Sequence, residues 1–520
     1  MSTESVIVST TYGKLEGESC NGVNVFRGVP YAAPPVGELR WRAPQPVQPW
    51  DGVRSARAFG PVSPQHPLPP SEIHTGILDV PGRHSEDCLY LNVWTPGLDD
   101  AKRPVLFWIH SGGLEYGSGS QPLYDGTTLA ATRDVVVVTI NYRLGALGYL
   151  RLTDLTGGGI PSTGNEGRMD EIAALTWVRD NIAAFGGDPD NVTIFGQSAG
   201  SIEVAALLSI TPAKGLFRRA VLHSTATHSS QTIDNANRMS ELFLDILGVD
   251  PRDTDALRAV EPSRLVQAST DLLARMKQED PNSGRMHFNP VVDGDFLPMR
   301  PYDAVRGGAA DDISIMVGTT LDETRLALGS EPPLQLNYAQ ALAACRVFLG
   351  DEAERMMAAY TDLRTRRGQP ASPTDVMFAL ETDRVLRYPS IKLSEALDER
   401  RRPGYQFIFT YESPAMGGRL GAAHALELGF LFGTYTDEKA KVFNGEGPVA
   451  DRLAERMQDA WTSFAATGDP SCASIGHWPT YGAARETMLI GDDWDVAKAP
   501  YEEERLLWEE FPGDARIGLM

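Results

Sequence analysis

Asn191-Val-Thr-Ile-Phe-Gly-Gln-Ser-Ala-Gly-Ser201 is the stretch that decides the fold, because it joins a predicted strand to a predicted helix through the pattern G-x-S-x-G. Residues 192–195 are apolar and partly β-branched, which predicts a short buried strand. Residues 202–210 predict the helix that follows. Strand, tight turn and helix is the context in which this pattern carries a nucleophilic serine. We therefore interpret Ser198 as a candidate nucleophile, against the alternative of a flexible Gly/Ser loop.

The two glycines of the pattern explain how such a turn could form. Gly196 and Gly200 lack a Cβ, so backbone segments can approach each other there without a clash. Ser198 Oγ would then lie near the N-terminus of the helix, where free N–H groups favour developing negative charge.

Composition and charge limit the classes of function. The chain has 520 residues, of which 42% are hydrophobic and 22% charged, as in an ordinary globular protein. Its net charge of −22 argues against nucleic acid or an anionic membrane as partner. The N-terminal residues resemble no secretion signal, and no apolar run is long enough to span a membrane. Four scattered cysteines lack metal-type spacing, so we expect a reducing, cytoplasmic setting.

Strand and helix patterns alternate over most of the chain and predict a doubly wound α/β sheet. No repeat or linker divides the sequence, so we expect one domain over residues 1–520. Residues 233–280 and 335–400 are predicted to be mostly helical excursions over the strand ends. Residues 60–84, with six prolines, predict a long irregular loop. Strands are predicted at residues 6–9, 14–17, 89–95, 105–110, 135–141, 220–223, 313–317, 406–411 and 488–490, and further helices at 168–186 and 449–467.

A nucleophilic serine needs a base, and the base needs an orienting carboxylate. In this fold class the chain order is serine, acid, histidine. His424 is the best candidate base, because it follows the predicted strand 406–411. Asp322 and Glu323 both follow the strand at 313–317, and the spacing leaves the choice between them open. The alternative for Asp322 and for Glu323 is an ordinary solvated carboxylate in a loop. The other histidines after Ser198 are His223, His228, His287 and His477.

Developing negative charge on a substrate oxygen needs backbone N–H donors. His110-Ser111-Gly112-Gly113 follows the strand at 105–109 and offers two such donors, Gly112 and Gly113. Ala199, directly after the candidate nucleophile, would supply a third. A phosphate-binding loop is the rival interpretation, but no Lys-Ser or Lys-Thr pair follows.

Several longer motifs resemble, in the right order, the type-B carboxylesterases, the cholinesterase and carboxylesterase family of α/β hydrolases, and in particular their bacterial para-nitrobenzyl esterases. The resemblance covers nearly the whole chain. The matching motifs are Phe26-Arg-Gly-Val-Pro-Tyr-Ala-Ala-Pro-Pro-Val-Gly37, Glu86-Asp-Cys-Leu-Tyr-Leu-Asn-Val-Trp-Thr-Pro96, Ala184 to Gly200, Val317-Gly-Thr-Thr-Leu-Asp-Glu323 and His424-Ala-Leu-Glu427.

The resemblance implies an α/β-hydrolase fold with a central, mostly parallel sheet, and hydrolysis of a small-molecule ester by water through an acyl-enzyme. It implies a triad of Ser198, Glu323 and His424, and so favours Glu323 over Asp322. No metal or organic cofactor is implied. Ser224 and Glu427 are expected to form a second polar layer around His424. The family's ion pairs are expected as Arg40 with Glu86 and Arg143 with Asp170.

The chain also departs from the family pattern. Ser111 replaces the first glycine of the oxyanion loop, and Thr324 replaces the glycine after the acid. Gln197 stands where cholinesterases carry a glutamate. Secreted relatives pair the cysteine at the position of Cys88 with an upstream cysteine, and this chain has Ser63 there. That disulfide is therefore not expected, in agreement with a reducing compartment.

The expected substrates are neutral esters of medium size. Residues 60–85 contain no Trp, Tyr or Phe to bind a quaternary ammonium group. Leu114, Glu115, Tyr116 and Gln197 are the candidate pocket residues. An adhesion relative without catalysis would lack part of the triad. A preference for amides, carbamates or lactones is compatible with the same residues, and the sequence makes no prediction about oligomeric state.

Overall fold

A computed structural model of the chain describes residues 4–67, 78–279, 288–329 and 334–511. Residues 68–77 of the predicted loop at 60–84 lie outside the described residues. The strands are β1 Glu4–Ser9, β2 Lys14–Cys20, β3 Val23–Pro30, β4 Val53–Ser55, β5 Tyr90–Thr95, β6 Arg103–Ile109, β7 Val136–Ile140, β8 Gly187–Gln197, β9 Arg219–His223, β10 Gln231–Thr232, β11 Val291–Val292, β12 Ser314–Thr320, β13 Tyr405–Phe409, β14 Glu486–Ile490 and β15 Trp494–Lys498.

The main sheet is mixed, with a parallel centre. Its order is β1-β2-β3-β5-β7-β6-β8-β9-β12-β13-β14-β15, with β4 paired to β2. The strands from β7 through β14 in this order are all parallel, and both margins are antiparallel. The mostly parallel sheet is therefore confirmed, but β5 runs against its neighbours. Only residues 96–102 connect β5 to β6, which is too short for the crossover that parallel strands require.

Helices cover both faces of the sheet. They are α1 Thr127–Arg133, α2 Gly145–Tyr149, α3 Glu166–Asn181, α4 Ala199–Leu207, α5 Ile233–Leu247, α6 Thr254–Ala259, α7 Pro262–Glu279, α8 Pro301–Arg306, α9 Tyr338–Leu349, α10 Ala353–Arg366, α11 Pro373–Thr382, α12 Tyr388–Glu399, α13 Leu426–Phe432, α14 Lys441–Asn444, α15 Pro448–Thr467 and α16 Glu502–Glu509. The two predicted helical excursions correspond to α5–α7 and α9–α12. In the described part of the chain, no helix combines the length and apolar character needed to cross a membrane.

Alternation along the central strands divides the core into two layers. In β6, Phe107 and Ile109 belong to the cluster that packs against α3 and α4, whereas Leu106 and Trp108 belong to the cluster that packs against α13 and α15. All four are buried, as expected of a strand covered on both faces. A third, smaller core joins α9–α11 to α16, so the second excursion is anchored by the C-terminal helix.

The two predicted ion pairs are confirmed. Arg40 binds Glu86 at 2.6 Å, and Arg143 binds Asp170 at 2.7 Å. Both pairs lie within or close to the core; the first joins two loop segments, and the second joins a loop to α3. Their environment supports the structural role that the resemblance assigns to them.

Cys88 lies buried beside Ser63, whose side chain hydrogen bonds with it. Burial raises the pKa of the Cys88 thiol well above its ordinary value, so the thiol stays protonated. Position 63 thus carries a hydroxyl against the thiol, where secreted relatives carry the second half of a disulfide.

Candidate active site

The predicted nucleophile turn lies between β8 and α4. Ser198 has φ 55° and ψ −123°, a strained conformation for a residue with a side chain. A Cβ on Gly196 would lie 2.4 Å from the Gly200 carbonyl oxygen, and one on Gly200 would lie 2.1 Å from the Ile109 carbonyl oxygen. Both positions therefore require glycine. The helix begins at Ala199, three residues before its predicted start, so Ser198 stands at its N-terminus.

Four candidate residues follow neighbouring parallel strands. Ser198 follows β8, Ser224 follows β9, Glu323 follows β12, and His424 lies in the segment after β13. These strands are adjacent in the sheet and parallel. Because the carboxyl ends of parallel strands meet at one edge, the topology brings the predicted nucleophile, acid and base to the same edge.

The acid and base are in direct contact. His424 Nδ1 hydrogen bonds with Glu323 Oε2. The other oxygen of this buried carboxylate accepts from Ser224 Oγ at 2.6 Å and from the Thr320 N–H at 2.7 Å. Asp322 instead accepts from the Ala422 N–H at 3.2 Å. The structure therefore places Glu323, and not Asp322, on the imidazole.

Charge around His424 favours its protonated form. Burial lowers the pKa of His424, but the charge and hydrogen bond of Glu323, together with the charge of Glu427, outweigh burial and raise the pKa above its ordinary value. An imidazole that gains a proton during a reaction is stabilised in this setting.

The loop predicted to bind an oxyanion follows β6. Positive φ angles occur at Gly112 (118°), Gly113 (65°) and Leu114 (64°), and not at Ser111. A Cβ on Gly112 would lie 2.0 Å from the Tyr116 carbonyl oxygen. Among the described residues, no acceptor is bonded to the N–H groups of Gly112, Gly113 or Ala199. These donors are available to a ligand.

Ser198 and His424 are not hydrogen bonded within the described residues, although such contacts are often long or absent before substrate binds. Gln197 contacts the imidazole instead: its side-chain nitrogen lies 2.9 Å from Nε2 and 3.2 Å from Nδ1 of His424. Gln197 is fully buried. Its predicted position in the substrate pocket is therefore corrected to a contact on the candidate base.

The residues expected to form a second polar layer around His424 act on it through other groups or through their charge. Neither Ser224 nor Glu427 hydrogen bonds to His424. Ser224 donates to Glu323, and Glu427 pairs with His223 at 3.2 Å.

The tautomer of His223 follows from its other contact, because Trp461 donates to His223 Nε2 at 3.0 Å. Since Nε2 accepts, Nδ1 of His223 carries the proton and donates to Glu427. Sequence reasoning considered His223 only as a possible base, although its place beside Ser224 at the end of a strand was a signal for a supporting role.

A cavity of about 250 Å³ lies beside residues 115 and 116, which follow the oxyanion loop, and its lining includes none of Ser198, His424, Gly112 and Gly113. Residues 64–67, Glu115, Tyr116, residues 144–147 and α7 line it, mostly with apolar groups. Tyr116 also donates to the Leu78 carbonyl at 2.6 Å. Leu114 was expected in this wall but is fully buried in the core, because its positive φ turns it away from its neighbours in sequence. Glu115 and Tyr116 therefore remain as pocket residues.

The structure describes residues 4–67, 78–279, 288–329 and 334–511. Within these ranges, no three His, Cys, Asp or Glu side chains are grouped so that they could hold a metal ion.

Comparison with known proteins identifies the family. The profile of the "Carboxylesterase family" matches residues 4–508. The chain is 37% identical over 502 residues to the para-nitrobenzyl esterase of Bacillus subtilis (strain 168), covering 96% of this chain and 97% of that protein. It is 37% identical over 500 residues to the phenmedipham hydrolase of Pseudarthrobacter oxydans, covering 94% and 95%.

A solved structure agrees with these relatives. A carboxylesterase of Geobacillus stearothermophilus superimposes with a TM-score of 0.84 at 39% identity, covering 96% of this chain and 99% of that one. The family that the motifs predicted is thus confirmed, and with it the α/β-hydrolase fold. The chain belongs to the carboxylesterase family.

Proposed function

We propose that Ser198, His424 and Glu323 carry out the carboxylic ester hydrolysis that membership of this family implies. The observation that carries the assignment is the contact of His424 with the buried Glu323 carboxylate, at the sheet edge where Ser198 stands in its strained turn. This is the arrangement of acid, base and nucleophile that acyl transfer requires.

In the proposed first step, Ser198 Oγ forms a bond to the ester carbonyl carbon while His424 Nε2 takes the hydroxyl proton. The tetrahedral intermediate then breaks its bond to the alcohol oxygen, which receives that proton from His424. In the second step water repeats the sequence: it attacks the acyl-enzyme, His424 takes its proton, and Ser198 leaves with that proton as the acid is released. Glu323 stabilises the imidazolium that forms each time.

The oxyanion is assigned to the N–H groups of Gly112, Gly113 and Ala199. What supports this assignment is that these donors bind no acceptor among the described residues, and that Ala199 begins α4. Donors fixed in position before the reaction cost little reorganisation when charge develops on the substrate oxygen.

Ester hydrolysis is tested with the purified protein on para-nitrophenyl esters of increasing acyl length and on the matching para-nitroanilides. We expect the esters to be hydrolysed at rates that depend on acyl length, with the anilides far slower, because an amine is a poorer leaving group than a phenolate. Anilide turnover equal to ester turnover would contradict the assignment as an esterase.

The substrate class is inferred from the wall of the cavity. Its lining is mostly apolar, which suits a neutral group. Glu115 is the acidic side chain in this wall. A carboxylate near solvent stabilises a cation by about 1 kcal/mol or less. That is weak beside the aromatic box that binds quaternary ammonium groups in other proteins.

We therefore expect no preference for a cationic ester. The measurement compares kcat/KM for butyrylcholine with that for its neutral isostere, 3,3-dimethylbutyl butyrate. The neutral ester should be used at least as well. A preference of about tenfold for butyrylcholine, lost in Glu115→Gln, would mean that this wall binds cations.

The remaining predictions concern the chain as a whole. We infer one catalytic unit over residues 1–520, supported by a 13-stranded main sheet whose strands range from Glu4 to Lys498 along the chain. The proposed steps need only protein groups and water, so no cofactor is invoked. A cytoplasmic location stays a prediction, supported by Ser63 in place of a disulfide partner for Cys88.

A further inference from the structure

Gln197 occupies an unexpected place on the candidate base. It is the last residue of β8 and has no solvent-exposed surface. Its side-chain nitrogen lies within 3.2 Å of both ring nitrogens of His424. Since Cε1 is bonded to both nitrogens, the amide must lie close to Cε1. This part of the ring carries much of the positive charge when the imidazole is protonated.

The charged groups around His424 come from two directions. Glu323 follows β12 and hydrogen bonds with Nδ1, and Glu427 on α13 adds a second negative charge. The groups behind them are Ser224, which donates to Glu323, and His223, which donates to Glu427. Two carboxylates thus already favour the imidazolium, and the group that β8 contributes is a neutral amide.

An amide can serve both protonation states of the ring. Its NH₂ contacts the neutral ring, and after a turn about the last side-chain bond its oxygen would face the positive charge that an imidazolium carries at Cε1. The Gln197 oxygen is buried and has no partner among the described residues, so the turned amide would give it one. A carboxylate at this position could only accept, and would favour the protonated ring alone.

We propose that Gln197 is a positioning residue, which holds the imidazole of His424 and, as a neutral group, adds no third negative charge that would keep the ring protonated and unable to act as a base near neutral pH. This inference rests on the proposed roles of Ser198 and His424. It differs from a pocket role, because Gln197 acts through His424 and not on the substrate.

The test measures kcat and KM for para-nitrophenyl butyrate from about pH 5 to pH 10, in the wild type, Gln197→Glu and Gln197→Met. In Gln197→Glu, a third negative charge should move the acidic limb of the kcat/KM profile upward by about one pH unit. Activity near pH 6.5 should then fall about tenfold, while the alkaline plateau stays within about threefold of wild type.

Gln197→Met removes the amide but keeps a side chain of similar length. With the ring no longer held, kcat should fall about tenfold at every pH, while KM changes little because the residue does not touch the substrate. This separation of kcat from KM distinguishes positioning of the base from a role in substrate binding.

Gln406→Glu is the matched control. Gln406 is a buried glutamine in β13 that accepts a hydrogen bond from Ser394, so the change in charge is the same. The acidic limb of the kcat/KM profile of Gln406→Glu should coincide with that of the wild type.

The inference is overturned if a folded Gln197→Glu protein keeps the wild-type acidic limb, or if Gln197→Met keeps the wild-type kcat. If the Gln197→Glu protein does not fold, the result for Gln197→Met decides alone. Failure of the proposed function would be a different result, namely continued hydrolysis by Ser198→Ala.

Discussion

Ser198→Ala is expected to lose nearly all ester hydrolysis, by up to about 10⁶-fold in kcat, as when the nucleophile of other serine hydrolases is removed. The alanine cannot form the acyl-enzyme, and the residual rate comes from the oxyanion donors and substrate binding alone. The fold should persist, because Ser198 Oγ makes no hydrogen bond with the described residues. The strained φ of 55° is present in both proteins, so it does not change the comparison.

The measurement is single-turnover and steady-state hydrolysis of para-nitrophenyl butyrate, with the melting temperature as a check on folding. Ser209→Ala is the matched control. Ser209 is also buried, follows α4, and donates to the Ala206 carbonyl at 2.7 Å. It should keep wild-type activity. Near wild-type turnover by a folded Ser198→Ala protein would exclude the proposed mechanism.

The turn around Ser198 could be predicted because its determinants are local. Two glycines at fixed spacing, an apolar strand before and a helix after are all contained in residues 191–210. The close approaches at Gly196 and Gly200 show why those residues are needed. The parallel centre of the sheet was predictable for a similar reason, since strands and helices alternate visibly along the chain.

The contacts that set the properties of the base were not predictable in this way. Gln197 and His424 are 227 positions apart, and His223 and Glu427 are 204 apart. Such contacts depend on strand order and on the side-chain rotamers chosen in the packed core, neither of which is written in local periodicity. The burial of Leu114 could not be predicted for the same reason, because it follows from a positive φ that no sequence pattern indicated.

The departures from the family pattern have local explanations. Ser111 is tolerated because the positive φ angles of its loop occur at the next three residues. Its hydroxyl lies 3.0 Å from that of Tyr124. Thr324, in place of a glycine, hydrogen bonds to the Phe378 carbonyl at 2.8 Å and so links the acid segment to α11. Neither substitution disturbs the contact between Glu323 and His424.

Glu323→Gln is the second change with a large expected effect, a loss of about 10⁴-fold in kcat. The Ser224 hydroxyl and the Thr320 N–H both donate to Glu323 Oε1. A glutamine would keep its oxygen on these two donors and turn its NH₂ toward His424. Nδ1 would then accept, the proton would move to Nε2, and the imidazole could no longer take the proton of Ser198. The change alters one atom but selects the wrong tautomer.

Asp322→Asn is the matched control for this argument, because it makes the same change in charge at the neighbouring residue. Asp322 pairs with Arg325 at 3.1 Å and accepts from the Ala422 N–H, and asparagine can still accept that bond. We expect a modest loss of stability, about 1 kcal/mol, and activity within about tenfold of wild type. The pH dependence of kcat completes the test, because an imidazole held in the wrong tautomer lowers kcat at every pH. Equal losses in both folded variants would remove Glu323 from its proposed role and leave the identity of the acid open.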